Sequence, residues 1–314
     1  MWWLRFVGVV ALLVLLALTV PTSKEVQLSR IDVRWLGLCM LLTMLQLLLE
    51  ASVWYWLILM QGVRYPYGKA VTAYLASMYL GLVTPWHVGS YLSAGYITMD
   101  TGLTLGYALS SVVMKKMLGW IAIIGFGIWG LPLLAQVSFL HGVKQMVGFS
   151  LTAVLLVSIG IALWVFSLRR LTKRWQKLSP WQVDLTEFWS GMRHLAAPQM
   201  IGPLILSLIA FSLLFLQLHS VLRSMGIVLP FLLVCRIAAL SRVAARLIPV
   251  SVAGIGTKDA VVMLLVQQGV AQPVVGVTAA LLWLLCSYVV TLLLSGLAWW
   301  IRPLVVRRAA RTMS

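Results

Sequence analysis

Residues 247–259 read LIPVSVAGIGTKD. Pro249 follows one long apolar run, Gly254 and Gly256 loosen the chain, and Lys258 and Asp259 stand side by side before the next apolar run. Proline breaks a helix by fixing φ and removing a donor, glycine by conformational freedom. At membrane depth such a break survives only where the freed backbone is buried in protein or lines a water-filled cavity. The stretch therefore predicts a re-entrant element over 249–269. Its short helical part, 257–268, cannot cross ~30 Å of hydrocarbon at about 1.5 Å per residue. The N–H groups at that helix start favour an anion, and Lys258 adds a full positive charge. Asp259 suits the first turn and is placed to hold Lys258 or a nearby arginine. The competing reading is an ordinary loop between two spanning helices.

The surroundings favour a membrane. Of 314 residues, 62% are apolar and 10% charged, against about 25% charged in soluble domains. Helices are predicted near 6–20, 35–60, 69–84, 104–131, 146–166, 199–222, 228–248, 258–268 and 277–301. No strand-like alternation supports a β-barrel. Met1–Val20 reads as a retained first helix with Trp2 and Trp3 at the interface, since LTVPTS is a poor cleavage site.

The net charge is +17, which in a soluble protein would point to nucleic acid. Here the charge sorts by side. The polar segment 167–198 holds Arg169, Arg170, Lys173, Arg174, Lys177 and Arg193; the tail, 302–314, holds Arg302, Arg307, Arg308 and Arg311. With Arg5, Arg64 and Lys69 these make 13 basic residues on one side. Lys24, Arg30, Arg34, Lys144 and Arg223 make 5 on the other. The positive-inside rule puts both termini and 167–198 in the cytoplasm. This charge reports topology and attraction to anionic lipid, with no nucleic-acid site.

Six basic residues remain within or beside apolar segments: Lys115, Lys116, Arg236, Arg242, Arg246 and Lys258. Glu50, Asp100 and Asp259 are their acidic counterparts. Charges at membrane depth face a polar cavity or each other. Arg236, Arg242 and Arg246 share a helix sector about 120° wide. One basic face suits a cavity receiving an anion, and arginine grips phosphate with a bidentate fork. The alternative for Arg242 and Arg246 is snorkelling to the interface as topology markers.

The chain also repeats. TPWHVGSYLSAGYITMDTG (84–102) parallels IPVSVAGIGTKDAVVMLLVQQG (248–269). Gly89 and Gly102 are 13 apart, as are Gly256 and Gly269, and the offset between the pairs is 167. Pro85 and Pro249 precede the first glycine of each unit. Internal repeats of this kind mark many transporters. They predict two related halves, 1–166 with a re-entrant element over 85–102 and 199–301 with one over 249–269.

At these residues the chain resembles the lysylphosphatidylglycerol synthase transmembrane-region family, flippase-like integral membrane proteins. Pro249, Gly254, Gly256, Thr257, Lys258 and Asp259 fit the second-half signature, with Asp for the usual Glu. Pro85 and Gly89 fit the first-half signature, but Ser90 stands where an acid is expected and no arginine follows. The resemblance covers roughly 6–301. It implies a lipid-translocating or lipid-associated membrane domain. The soluble aminoacyl-transfer domain of some relatives is not expected after Ser314.

Enzyme chemistry finds little support. Glu25 and Asp32 are the only acids of the first outside loop, seven apart. His87, His141, His194 and His219 lack zinc-like spacing. Cys39, Cys235 and Cys286 lie in apolar helices and read as core residues. No Walker loop is present. Ser90 near His87 has no orienting acid.

The expected protein is all-α and polytopic, with about eight transmembrane helices and two re-entrant elements. It has no cofactor and sits in the bacterial inner membrane. The expected function is flipping of an anionic lipid, such as a phospholipid or polyprenyl phosphate. The expected substrate-binding set is Lys115, Lys116, Arg236, Arg242, Arg246, Gly254, Gly256, Lys258, Asp259, Pro85 and Gly89. The alternative is an accessory subunit docked to a lipid-synthesis enzyme.

Overall fold

Val33–Met60 contains no proline, and Asp32 caps its start by accepting from the Arg34 amide at 2.9 Å. The result is one 28-residue helix, α1. The computed structural model describes residues 31–136, 179–195, 198–247, 262, 266 and 273–303. After α1 come α2 (Tyr67–Val83), a 3-10 segment (Pro85–Leu92), α3 (Ser93–Thr101) and α4 (Leu105–Gln136). Then follow α5 (Ser179–Leu195), a 3-10 turn (Pro198–Met200), α6 (Ile201–Ser224), α7 (Phe231–Leu247) and α8 (Pro273–Ile301). The described residues are all-α, with no strand among them.

Among the described residues, four stretches are long and apolar enough to span a membrane: Val33–Met60, Leu105–Gly130, Ile201–Ser224 and Thr278–Ile301. Their outer faces keep large apolar side chains such as Leu41, Ile121, Ile205, Leu293 and Trp300 exposed, a surface that lipid rather than water satisfies. Inside, Trp283, Leu218, Leu222 and Ile237 centre one cluster, and Trp54, Tyr96, Ile97 and Ala76 another. The helices expected at 6–20 and 146–166 lie outside the described residues. So does the element at 249–269, except Val262 and Val266. These two are one turn apart, helical and buried in the first cluster.

The repeat offset of 167 carries Val33, Tyr67 and Leu105 close to the first residues of α6, α7 and α8, namely Ile201, Phe231 and Pro273. The packing has the same exchange. α1 lies along α6, α4 packs on α7, and α8 packs on α2. Swapping each helix for its counterpart leaves that set of contacts unchanged.

At Pro85 the chain turns back on the helix it has just left. His87 takes φ 56°, the one positive φ of a non-glycine residue among the described residues; histidine is among the residues that tolerate this region best. Its Nδ1 lies 3.0 Å from the Gly81 carbonyl oxygen, and the Gly89 amide donates to Thr84 Oγ1 at 2.8 Å. A Cβ on Gly89 would stand 2.3 Å from the Leu80 carbonyl oxygen. Only glycine allows this approach, and the obstacle is backbone. Gly89→Ala should therefore lower thermal stability in detergent by about 1–3 kcal/mol through forced backbone displacement. An unchanged melting temperature would contradict the tight turn.

One segment departs from the sequence reading. The polar stretch 167–198 was expected as a connection, yet Ser179–Leu195 is helix α5 and packs on α4. Phe188, Met192 and Leu195 recur at helical spacing, and Leu195 is fully buried. Gly191 permits the approach, since a Cβ there would stand 2.2 Å from Ser110 Oγ. Charge density hid an amphipathic pattern.

Candidate functional site

A cavity of about 240 Å³ lies between α1, α2, the 3-10 segment, α4, α6, α7 and α8. Lys115 and Lys116 on α4 and Arg242 on α7 line it together. Consecutive residues on a helix point about 100° apart, and the two lysines accordingly find different partners. Lys115 Nζ is 2.9 Å from Glu50 Oε2 on α1 and also donates to the Tyr74 hydroxyl on α2, over whose ring it sits at 4.4 Å. Lys116 Nζ donates to Ser90 Oγ at 2.7 Å and lies 4.3 Å from the Tyr91 ring centroid. Ser90 thus meets a lysine at the position where the resembled family carries an acid.

Glu50 is held from three helices. Tyr74 OH donates to Oε2 at 2.7 Å, and Gln46 Nε2 donates to Oε1 at 3.0 Å. The chain continues across the bundle. Gln217 Nε2 on α6 donates to Gln46 Oε1 at 2.8 Å, and Trp283 Nε1 on α8 donates to Gln217 Oε1 at 3.4 Å. A polar line therefore runs from α8 through α6 and α1 to α2 and α4. Buried polar groups persist where each finds a partner.

The arginines of α7 separate. The Arg242 guanidinium lies 5.8 Å from the Trp283 ring centroid and lines the cavity. Arg236, six residues earlier, lies 5.7 Å from Trp129 on α4 and does not line it. Its Nε is buried with no hydrogen-bond partner among the described residues. Opposite edges of a 120° sector reach different neighbours. Arg246 lies in the last turn of α7; its side chain is outside the described residues, as are Gly254, Gly256, Lys258 and Asp259. Pro85 opens the 3-10 segment, and Gly89 packs behind it on α2. His87 reaches the cavity between them. Tyr74, Gln46 and Gln217 escaped sequence reading because nothing distinguishes them from other polar residues of apolar helices.

A second polar cluster ties the two ends of the α2–α3 hairpin together. Tyr65, just before α2, and Arg302, just after α8, both donate to Asp100 near the end of α3. The Arg302 carbonyl accepts from Tyr96 OH at 2.7 Å. Partial burial pushes the Asp100 carboxyl up, but the hydrogen bonds from Arg302 and Tyr65 outweigh it and hold the pKa below the usual value. A depressed carboxylate contributes stability that is present above the unfolded-state pKa and lost as pH falls through the folded one. Acidification below about pH 4 should cost the wild type up to ~1 kcal/mol more than Asp100→Asn, a small figure because the pair is partly solvated. Parallel melting curves for the two proteins across pH 3–6 would remove the role.

Among the described residues, no group of three His, Cys, Asp or Glu side chains could hold a metal ion. The cavity can hold a small anion between two lysines and an arginine, with hydroxyls and amides around it. The family model described as lysylphosphatidylglycerol synthase TM region matches residues 2–295. No curated protein and no solved structure matches the chain.

Proposed function

Because the chain belongs to the lysylphosphatidylglycerol synthase TM-region family, we propose that it flips an anionic lipid between the leaflets of the membrane. It is an integral membrane protein of a family tied to lipid handling. The observation that carries the reading is the cavity itself, where Lys115, Lys116 and Arg242 meet among apolar helices. At about 240 Å³ it is smaller than the ~300–1,000 Å³ sites that enclose drug-sized ligands. It suits a phosphate headgroup whose acyl or prenyl chains stay in the bilayer.

Two related halves serve this mechanism. Exchange of contacts between counterpart helices gives a pseudo-two-fold frame, and such frames rock about a central site. The α2–α3 hairpin, with both ends at the Tyr65–Asp100–Arg302 cluster, acts as a re-entrant element that brings His87 and Ser90 to the headgroup. Its counterpart in the sequence repeat is the 249–269 stretch, which carries Lys258. The protein acts without covalent chemistry, in the bacterial inner membrane, with both termini cytoplasmic. Its partners are membrane lipids.

The test is leaflet exchange in reconstituted vesicles carrying labelled phosphatidylglycerol or labelled phosphatidylcholine. Faster exchange of the anionic lipid supports the reading. Exchange no faster than in protein-free vesicles for either lipid refutes it and favours an accessory subunit of lipid synthesis.

A further inference from the structure

We infer that Glu50 is a proton-binding site coupled to the anion site, so that one proton enters the cavity with each headgroup. The inference rests on the translocation reading above and names its driving ion.

The geometry sets a conflict. Lys115 already serves Glu50 at 2.9 Å and the Tyr74 hydroxyl. A phosphate in the cavity can draw on Lys115 only by sharing it with the carboxylate. Two anions on one lysine, in a site walled by apolar helices, repel strongly because the dielectric is low. Protonation of Glu50 removes the conflict. The neutral carboxyl keeps its acceptor role toward Gln46 Nε2 at 3.0 Å. Its new O–H donates to the Tyr74 oxygen or to the phosphate, and Lys115 turns to the headgroup. When the headgroup leaves, Lys115 returns and the proton is released. Proton and phosphodiester together carry no net charge.

The molecule contains its own control. The repeat offset of 167 carries position 50 onto Gln217 and position 115, its partner, onto Leu282, next to Trp283. There a neutral amide accepts from an indole at 3.4 Å and donates to Gln46 at 2.8 Å. Gln217 joins the helices without a charge at the corresponding place. An ionisable side chain at position 50 exceeds what packing requires, and intramembrane acids of that kind mark proton relays.

The groups facing Glu50 are Lys115 on α4, Tyr74 on α2 and Gln217 through Gln46. The remaining titratable groups of the cavity are Lys116, His87, Arg242 and Tyr288. Of these, only His87 is of a residue type whose ordinary range lies near neutrality, so it is the rival.

Two measurements decide. In weakly buffered detergent, the purified protein should take up about one proton per bound phosphatidylglycerol and none on exposure to phosphatidylcholine, by linkage. In phosphatidylcholine vesicles with trace labelled phosphatidylglycerol, a gradient of about one pH unit should skew the leaflet ratio toward about tenfold, the limit for one proton per lipid. Glu50→Gln should abolish both responses, whatever exchange remains; in His87→Gln, however much binding or exchange is lost, each bound phosphatidylglycerol should still bring about one proton. Wild-type exchange that ignores the gradient overturns the coupling and leaves translocation standing. Proton uptake in detergent without exchange in vesicles retains the proton site and refutes translocation. Loss of both responses in His87→Gln and their survival in Glu50→Gln would move the coupling to the histidine and overturn the assignment.

Discussion

Lys115→Met should destabilise the detergent-solubilised protein by about 3–5 kcal/mol, and Glu50→Leu by a similar amount, while the double variant lies within about 1–2 kcal/mol of wild type. Each single change leaves one charge inside the bundle with its partner gone. Glu50 would keep Tyr74 and Gln46, which donate hydrogen bonds but bring no charge. Lys115 would keep the Tyr74 hydroxyl and ring, again neutral. Removing both charges removes the uncompensated ion. The side chains are about a fifth to a quarter exposed, 19% and 24%, so cavity water places the single losses toward the lower bound. A double-mutant cycle in thermal or denaturant unfolding reads the coupling directly. Additive losses, with the double variant the least stable, would show that the residues act independently and that the ion pair is incidental.

The sequence made the long elements legible because a helix in lipid must satisfy its backbone internally. The runs predicted at 35–60, 104–131 and 277–301 appear as α1, α4 and α8 with shifts of a few residues. Pro85 and Gly89 marked a break, and the chain breaks there. The internal offset, found from four glycines, also orders α1, α2 and α4 against α6, α7 and α8.

The site was legible only as a list of charges. Lys115 and Lys116 differ by one position, yet one is committed to Glu50 and the other to Ser90. That difference depends on which helix lies beside α4, which periodicity cannot supply. Arg236 and Arg242 share a sector by angle, yet Trp129 receives one and the Trp283 side of the cavity the other. α5 was hidden because the basic cluster Arg169, Arg170, Lys173, Arg174 and Lys177 just before it marked the whole polar stretch as a connection, while its buried face rests on few apolar side chains. Gln46 and Gln217 gave no signal, since a glutamine in an apolar helix looks alike whether it bridges two halves or faces a cavity.

Lys116→Gln and Arg242→Gln together should slow exchange of phosphatidylglycerol about 10–100-fold, with little change for phosphatidylcholine. The two residues come from helices that pack on each other, α4 and α7, and line one cavity. Lys116 is steered by Ser90 Oγ and the Tyr91 ring, Arg242 by the Trp283 face. Those supports orient the side chains without fixing them to the Glu50 pair, so the substitutions act on the headgroup more than on the fold. A hydrogen bond to a charged group contributes ~1.5–3 kcal/mol, and about 1.4 kcal/mol corresponds to tenfold. A phosphocholine headgroup carries its own positive charge beside the phosphate, which weakens its demand for a second cation. Comparison with Lys115→Met separates the roles, since that variant loses stability first. The measurement is the ratio of the two lipids' exchange rates in matched vesicles at equal protein content. Wild-type exchange in the double variant would make Lys116 and Arg242 topology markers. Equal slowing of both lipids would assign them to the architecture of the bundle.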